Sequence, residues 1–261
     1  MLREVLERLA KGELSIDEAE ELLRVTAIAE VGGIARLDVN REVRKSIPEI
    51  VLAEGKKAED VVEIAVEMLK KRGRAIISRV NREQADAIRK ILPHGSELRS
   101  NERARIIILK REGFTIGKTG GKIGILSAGT SDIPVAEEAK VVAEEMGCAV
   151  ATAYDVGVAG IHRLFQPLRE MIERDVDALV VVAGREGALP SVVAGMVDVP
   201  VIGVPTSMGY GFGEKGLSAL MAMLQACSLG IAVVNIDSGV AAGTIAALIA
   251  NRSAKARKNC S

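Results

Sequence analysis

The sequence predicts an α/β protein in which a doubly wound, five-stranded parallel sheet follows a smaller α+β domain. The main observation is that five short apolar runs alternate with five stretches of helical periodicity between residues 122 and 253. Such apolar strands are typical of parallel sheets that helices cover on both faces. The second observation is the polar, glycine-rich segment Thr115–Lys122, which separates this regular pattern from an irregular amino-terminal part.

The amino-terminal part, residues 1–115, is expected to form the small α+β domain. A helical hairpin is predicted over residues 2–24, with its second helix started by the capping box Ser15-x-x-Glu18. A further helix should run from Ala58 to Lys71 and end at Gly73. The other predicted elements are strands at 35–39, 49–53 and 75–80, a helix at 82–92 and a hairpin at 96–110.

The carboxy-terminal part, residues 122–253, is expected to contain five strand–helix units. The predicted strands are 122–128, 149–154, 178–183, 199–204 and 231–236. The predicted helices are 133–146, 160–174, 189–197, 217–227 and 240–252. Right-handed crossovers between these parallel strands predict a flavodoxin-like sheet.

Composition and charge exclude several classes of function. Lys and Arg together number 35, as do Asp and Glu, so no global basic field attracts nucleic acid or an anionic membrane. The three cysteines form no CxxC motif or Cys/His cluster, which argues against structural zinc and a disulfide framework. The acidic start is unlike a signal peptide, so we expect a cytoplasmic protein. The uncharged run Gly216–Ile236 is long enough to span a bilayer, but Gly230 within it favours a buried helix followed by a strand.

The loops after the five predicted strands are candidates for a ligand site, because ligands of such sheets bind beyond the carboxyl ends of the strands. Four of the five aromatic residues fall between positions 154 and 212, and many glycines fall in the same loops. The loops span residues 127–132, 154–163, 184–191, 205–216 and 237–239. Their convergence at one edge of the sheet predicts a binding site.

The first of these loops has two possible functions. Gly129 lets a ligand approach the backbone, and the hydroxyls of Thr130 and Ser131 stand at the start of a helix. The backbone N–H groups and the dipole of that helix favour phosphate. The alternative is that Thr130, Ser131 or Asp132 only caps the helix.

The fourth loop contains Gly211-x-Gly213-x-x-Gly216, a dinucleotide-binding fingerprint, with Asp237 about 20 residues further on. The fingerprint glycines should follow the strand at once, whereas Pro205–Tyr210 intervene here. This spacing argues against a Rossmann dehydrogenase. The loop is instead typical of a mobile glycine-rich lid.

Three side chains are candidates for catalysis, each with a structural alternative. His162 is either a general acid or base or the first residue of a helix. Glu186 lies in a glycine-rich turn with little structural reason for a carboxylate, although Arg185 could pair with it. Cys227 falls on the apolar face of the predicted helix 217–227, which favours a buried thiol at the edge of the sheet opposite the site.

Five segments carry a resemblance to a known family. They are AGTSDIPVAEEA, YDVGVAGIHR, VVAGREGALPSVVAG, DVPVIGVPTSMGYG and MLQACSLGIAVVNID, and in this order they cover nearly all of residues 122–250. Together they resemble LarB, a family of nickel-pincer nucleotide cofactor biosynthesis proteins. The amino-terminal part is more loosely similar, through Leu37-Asp-x-x-Arg41-x-x-Arg44, Ile47–Val51 and Glu54-Gly-Lys56. It departs from the family pattern at Ser46, Ile47 and Lys57, where Gly, Phe and Thr are usual.

The carboxy-terminal domain is in turn similar to PurE, the aminoimidazole ribonucleotide (AIR) carboxylase and mutase family. Ala128–Asp132 stands where PurE has Gly-Ser-x-Ser-Asp, and Cys227-Ser228 stands where PurE has Met-Pro. The longer Tyr154–Arg163 loop replaces the Ser-Ala-His-Arg loop of PurE, which argues against purine chemistry. PurE-like proteins are homo-octamers with sites near subunit contacts, so the resemblance implies an octamer in which a neighbouring subunit can complete the site.

The resemblance to LarB implies a reaction. LarB-type proteins are pyridinium-3,5-biscarboxylic acid mononucleotide synthases, which carboxylate nicotinic acid adenine dinucleotide with CO2 and hydrolyse its phosphoanhydride to release AMP. A thiolate must add to the pyridinium ring before a ring carbon can attack CO2. Cys227 matches the nucleophile of the family. Glu186 or His162 is then expected to move the ring proton or to activate water.

Roles in substrate binding are hypotheses that follow from this implied reaction. Asp155 or Asp237 is expected to hold Mg2+ against the pyrophosphate, and CO2 or bicarbonate is the co-substrate. The candidate substrate-binding residues are Gly129, Thr130, Ser131, Asp132, Tyr154, Asp155, Arg163, Gly184, Gly187, Ser191, Ser207, Tyr210, Lys215, Asp237, Arg41 and Arg44. Two alternatives remain: a PurE-like carboxylase or mutase for a purine precursor, which should not need Cys227, and a nucleotide-binding module without catalysis.

Overall fold

The computed structural model describes residues 2–19, 28–31, 35–38, 41–209 and 211–259. The chain divides into two compact units. The first comprises residues 1–100 and 107–114, and the second comprises residues 101–106 and 115–261.

The first unit is built around a four-stranded sheet. Its elements are α1 (Leu2–Ala10), β1 (Ile28–Val31), β2 (Ala35–Asp38), α2 (Arg41–Lys45), β3 (Ile50–Leu52), α3 (Ala58–Arg72), β4 (Arg74–Ser78), α4 (Arg82–Lys90), β5 (Ser96–Asn101) and β6 (Ile106–Arg111). The strand order is β3-β4-β6-β5, with β3 parallel to β4 and β4 antiparallel to β6, while β1 and β2 form a separate antiparallel pair. Helices α3 and α4 pack on one face, where Ile64, Ile77 and Ile88 are buried.

Two local sequence signals in this unit produce the predicted structure. The Ser15 N–H donates to Glu18 Oε2 at 2.8 Å, and the Glu18 N–H donates to Ser15 Oγ at 3.2 Å, so the capping box forms. Gly73 ends α3 with φ 71°, the left-handed conformation that glycine adopts without steric cost. The predicted hairpin over 2–24 extends beyond residue 19 and lies in part outside the described residues.

The second unit confirms the predicted flavodoxin-like sheet. Its elements are β7 (Lys122–Ser127), α5 (Ile133–Glu145), β8 (Ala149–Ala153), α6 (His162–Glu173), β9 (Ala178–Ala183), α7 (Leu189–Ala194), β10 (Val201–Pro205), α8 (Leu217–Leu224), β11 (Ile231–Val233) and α9 (Gly239–Asn259). The strand order is β8-β7-β9-β10-β11, and every neighbouring pair is parallel.

Helices cover this sheet in two groups. Residues of α6, α7 and α8 form one hydrophobic core with the sheet, which includes Leu164, Leu179 and Val193. Helix α9 packs closely on α5 at Gly243, which has no side chain. A Cβ at this position would lie only 2.4 Å from the Ala139 carbonyl oxygen. The expectation of uniformly buried strands holds for β9 and β10 but is wrong for β8 and β11, which lie at the sheet edges and are partly exposed.

The predicted helix 217–227 is shorter in the structure. Helix α8 ends at Leu224, and the Gln225 N–H still donates to the Met221 carbonyl oxygen. Cys227 therefore lies in a loop and is exposed, so the interpretation of a thiol buried on a helix face is wrong. The uncharged run folds into α8, this loop and β11, and no helix among the described residues is long and apolar enough to cross a membrane.

Candidate active site

A cavity of about 670 Å³ lies at the carboxyl edge of the parallel sheet. Its volume is in the usual range of small-molecule sites. The loops that follow β7, β8, β9 and β10 line it, as the topology of the sheet predicts. Eight of the predicted site residues line the cavity: Gly129, Ser131, Asp132, Asp155, Arg163, Gly184, Glu186 and Ser207.

The loop after β7 brings the start of α5 to the cavity. Gly129 and Ser131 line the wall, and residues Thr130–Asp132 form a single helical turn that leads into α5. Helix α5 is 13 residues long, so its first N–H groups and its dipole favour an anion at this wall. Thr130 is absent from the wall, so its predicted contact with a ligand is not seen here.

Asp132 is buried, with 5% of its surface exposed, and it accepts hydrogen bonds from three loops. The Gly129 N–H donates to Oδ2 at 2.9 Å, and the Thr206 hydroxyl donates to Oδ1 at 2.6 Å. The backbone N–H of Gly184 also bonds to this carboxylate. Burial raises the pKa of Asp132, although these hydrogen bonds oppose the shift. Asp132 thus has an internal role in holding these loops together, and because it also lines the cavity its contact with substrate stays a prediction.

The loop after β8 places an ion pair on the cavity wall. Arg163 donates to the Asp155 carboxylate, and their side chains are 40% and 48% exposed. Asp155 has φ 59°, and its N–H donates to Ser127 Oγ at 3.3 Å, which ties the turn to the end of β7. Arg163 therefore offers a guanidinium to an anionic ligand at the same wall as Asp155.

Tyr154 points away from this cavity. Its hydroxyl donates to Glu137 on α5, and Asn101 Nδ2 donates to the other oxygen of Glu137 at 2.6 Å. Burial and the bond to Glu137 raise the pKa of Tyr154 above its usual range. Tyr154, a candidate substrate-binding residue, therefore does not line the cavity, because its hydroxyl bonds to a carboxylate on the neighbouring helix.

Other predicted site residues also lie away from the cavity wall. His162 begins α6 but does not line the cavity, whereas its neighbour Arg163 does. Gly187 packs under α8, where a Cβ would lie 2.7 Å from the Ala219 carbonyl oxygen. Asp237 Oδ1 accepts the Ser207 N–H at 2.8 Å. Ser191 and Lys215 are likewise absent from the wall, and Tyr210 lies outside the described residues.

Sequence reasoning missed part of the wall. Arg185, considered only as a partner for Glu186, lines the cavity, together with Met208 and Gly209. Arg185 has φ 51°, and the strand-following loops also place Asp155, Lys215 and Asp237 at positive φ. Non-glycine residues in this conformation are uncommon and cluster at functional sites. Arginine and lysine have no preference for positive φ, so their presence in the sequence did not indicate this backbone conformation.

Cys227 lies outside this cavity, at the opposite end of the β–α units, as the topology predicts. The next residue, Ser228, donates from Oγ to the Ser191 carbonyl oxygen on α7 at 2.7 Å. The other described cysteine, Cys148, is buried, and burial raises its pKa to about 11. A high pKa suppresses the nucleophilic thiolate of Cys148, whereas the thiol of Cys227 is open to solvent. Cys260 lies outside the described residues.

Arg41 and Arg44 belong to the first unit and form ion pairs there. Arg41 Nε lies 3.0 Å from Glu49 Oε2, and Arg44 pairs with Asp38. Burial raises the pKa of Glu49, with the charge of Arg41 opposing the shift. Both arginines, which are candidate substrate-binding residues, thus form ion pairs with carboxylates of their own unit. Within the described residues, no three His, Cys, Asp or Glu side chains are grouped to hold a metal ion.

Comparisons with known proteins agree with this architecture. A LarB/PurE-like N-terminal domain model matches residues 28–111, and an AIR carboxylase model matches residues 122–259. An uncharacterized protein of Methanocaldococcus jannaschii is 46% identical over 251 residues, which cover 95% of this chain and 96% of that protein.

The carboxy-terminal half is also similar to N5-carboxyaminoimidazole ribonucleotide mutases. The protein of Thermotoga maritima is 30% identical over 133 residues, 49% of this chain and 74% of its own length. The protein of Methanocaldococcus jannaschii is 32% identical over 126 residues, 48% of this chain and 75% of its own length. With both family models matched in order and the long relative spanning both, the chain belongs to the LarB family and carries a PurE-like carboxy-terminal domain.

Proposed function

We propose that the protein converts nicotinic acid adenine dinucleotide and CO2 into pyridinium-3,5-biscarboxylic acid mononucleotide and AMP, as the resemblance to LarB implies. The observation that carries the proposal is the convergence of Glu186, Arg163 and the start of α5 on one cavity of about 670 Å³. A carboxylate suits proton transfer, while a guanidinium and a helix start suit a pyrophosphate. Membership of the LarB family and the exposed thiol of Cys227 support the same reaction.

In the proposed reaction, the Cys227 thiolate adds to a carbon of the pyridinium ring and leaves a neutral, enamine-like ring. The electron-rich ring carbon attacks CO2 and forms the new carbon–carbon bond. Glu186 takes the proton from that carbon, and departure of the thiolate restores the aromatic ring. The sequence needs no oxidant, because the carbon exchanges a proton for a carboxylate. Hydrolysis of the phosphoanhydride consumes one water molecule and releases AMP.

Cys227 does not line the cavity of its own chain, so in the proposed reaction it comes from a second subunit. Leu217, Met221 and Leu224 on α8 and Leu229 after it form an exposed apolar surface, which we call the α8 stripe, and Leu229 is 91% exposed. Large exposed apolar patches mark protein interfaces. We propose that the stripe is buried in a homo-oligomer, an octamer by analogy with PurE, in which Cys227 enters the cavity of a neighbouring subunit.

Asp155 fits a magnesium ion better than Asp237 does. Mg2+ is usually bound by one or two carboxylates together with substrate phosphates and water, and Asp155 lines the cavity. Asp237 instead bonds to the Ser207 N–H and is absent from the wall. When bound, Mg2+ would neutralise pyrophosphate charge; Asp155 would hold it, and Arg163 would orient the phosphates beside it.

A second candidate function is a purine-precursor carboxylase or mutase, which the similarity to N5-carboxyaminoimidazole ribonucleotide mutases favours. The two functions differ in their need for a thiol. The mutase reaction should proceed without Cys227, whereas the proposed synthase reaction should stop.

The test is incubation of the purified protein with nicotinic acid adenine dinucleotide, bicarbonate and Mg2+, with products read by mass spectrometry. We expect AMP and a mononucleotide that is one carboxyl group heavier than nicotinic acid mononucleotide. A parallel incubation with N5-carboxyaminoimidazole ribonucleotide tests the second function. Unchanged dinucleotide together with conversion of the ribonucleotide would replace the proposal with the mutase reaction; neither conversion, with the dinucleotide bound intact, would support a binding module.

A further inference from the structure

The buried carboxylate of Asp132 connects three loops that build the cavity. Its donors are Gly129 in the loop after β7, Gly184 in the loop after β9 and Thr206 directly after β10. Hydrogen bonds to a buried carboxylate are among the stronger ones, because the charge is shielded from water. No other carboxylate described at the cavity accepts bonds from three of its loops.

The Thr206–Ser207 pair is held from two sides. Thr206 is fully buried, and its hydroxyl reaches Asp132 at 2.6 Å, while the Ser207 N–H reaches Asp237 at 2.8 Å. Ser207, Met208 and Gly209 then form the part of the cavity wall that we call the 207–209 wall.

Close packing leaves Thr206 little freedom to find another partner. A Cβ at Gly184 would lie 2.7 Å from Thr206 Oγ1, and one at Gly216 would lie 2.6 Å from the Thr206 carbonyl oxygen. Both glycines are therefore needed for the close approach of their loops to Thr206. The hydroxyl of Thr206 is enclosed, so water cannot readily replace its bond to Asp132.

We infer that Asp132 is a positioning residue for the substrate's nucleotide moiety, acting through the Thr206 hydroxyl to hold the 207–209 wall against the loop that carries Glu186. The inference rests on the proposed function for its substrate, but not for the linkage itself. In this arrangement the Asp132 carboxylate is bound by protein donors, although the residue also lines the cavity. It sets the distance between two walls of the cavity, and so it governs binding more than the chemical step.

The test compares Thr206→Val with Thr206→Ser. Valine has the shape of threonine without the hydroxyl, whereas serine keeps the hydroxyl. In the unliganded protein, we expect hydrogen–deuterium exchange of the backbone amides in 207–209 to accelerate at least tenfold in Thr206→Val and to stay near wild type in Thr206→Ser. In the synthase assay, we expect Thr206→Val to raise KM for the dinucleotide about tenfold, while kcat stays within about twofold of the wild-type value. This is the pattern expected when an interaction that stabilises the bound substrate and the transition state equally is lost.

The outcomes separate the two proposals. If wild-type protein turns over no dinucleotide, the proposed function fails, and the exchange experiment still tests the linkage. Exchange and KM that are unchanged in a folded Thr206→Val protein would overturn the inference, as would a fall in kcat alone. Thr206→Ala repeats the test if the valine variant does not fold. If both fail to fold while Thr206→Ser is normal, the bond supports the whole unit and the positioning role is refuted.

Discussion

The Ser228 hydroxyl lies 2.7 Å from the carbonyl oxygen of Ser191 and also 3.2 Å from the Ser191 hydroxyl. This contact fastens the loop that carries Cys227 to α7, the helix that begins at the cavity wall with Leu189. The exposed thiol therefore stands on an anchored backbone. In the proposed reaction, in which Cys227 adds to a ring bound by a neighbouring subunit, such anchoring would favour turnover, because orientation contributes strongly to catalysis.

Ser228→Ala should release this anchor. We expect kcat to fall about fivefold, since a net hydrogen bond contributes about 1 kcal/mol. Alkylation of Cys227 by iodoacetamide should become faster, because the loop is freer, and both rates are measured on the same preparation. Ser100→Ala, at an exposed position in the first unit, is the matched control. Equal alkylation rates in all three proteins would show that the contact does not restrain the loop.

Cys227→Ser should abolish synthase turnover while leaving the fold intact. The thiol is exposed, so its loss removes the nucleophile without disturbing a core. We expect activity to fall by at least about a thousandfold, as for other covalent nucleophiles. Cys148→Ser is the contrasting variant, because Cys148 is buried and bonds to Asn251 at 3.1 Å. It should retain activity and lose about 1–2 kcal/mol of unfolding free energy, measured in urea. Turnover by Cys227→Ser at the wild-type rate would exclude the covalent mechanism.

Mixing two inactive variants tests whether Cys227 serves a neighbouring subunit. Cys227→Ser and Glu186→Gln are each expected to be inactive alone. After joint refolding at equal amounts, about a quarter of the sites should combine an intact thiol with an intact carboxylate if the two come from different subunits at random. Activity is measured against separately refolded variants. If the thiol and the carboxylate of a site come from one chain, mixing creates no site in which both groups are intact. The activity then stays at the level of the single variants.

Leu224→Glu should weaken self-association. Leu224 is 66% exposed and belongs to the α8 stripe, so a carboxylate there is tolerated in an isolated chain but not in a dry interface. We expect a smaller assembly by light scattering and at least about a tenfold loss of turnover, since the site would lack its thiol. Ile91→Glu, in the first unit, is the exposed apolar control. An unchanged mass would remove the stripe from the proposed interface.

Asp177→Asn should destabilise the protein in a pH-dependent way. Arg257 and the Lys122 N–H donate to Asp177, and although burial opposes the shift, these bonds lower the pKa of this carboxyl. A lowered folded-state pKa adds stability above the unfolded pKa, and that stability is lost as pH falls through the folded value.

We therefore expect Asp177→Asn to lose about 1–2 kcal/mol near pH 7 in urea unfolding, with the difference from wild type shrinking below about pH 4. Asp175→Asn is the control, since its side chain is 76% exposed and lies 3.8 Å from Lys122. A difference that persists unchanged at acid pH would mean that the charge of Asp177 contributes nothing.

Some features of the candidate site follow from topology and could be predicted. Strand–helix alternation puts the loops after β7 to β10 at one edge, so Gly129, Asp155, Glu186 and Ser207 were predicted to meet, and they do. The directions of individual side chains could not be predicted in the same way. His162 and Arg163 are adjacent, yet only Arg163 reaches the wall, because the first turn of α6 directs successive residues to different sides.

The parallel sheet, the capping box at Ser15, the helix end at Gly73 and the family could all be predicted from the sequence, since they depend on short-range patterns and on residue identity. Three features became visible only in the folded chain: Asp132 accepts bonds from protein donors, the Tyr154 hydroxyl bonds to Glu137, and Cys227 is exposed beyond α8. Each of these depends on which distant group packs beside the residue. The periodicity of apolar residues indicates which face of a helix or strand is buried. The direction of a polar side chain depends instead on the hydrogen-bond partner that lies beside it in the folded protein.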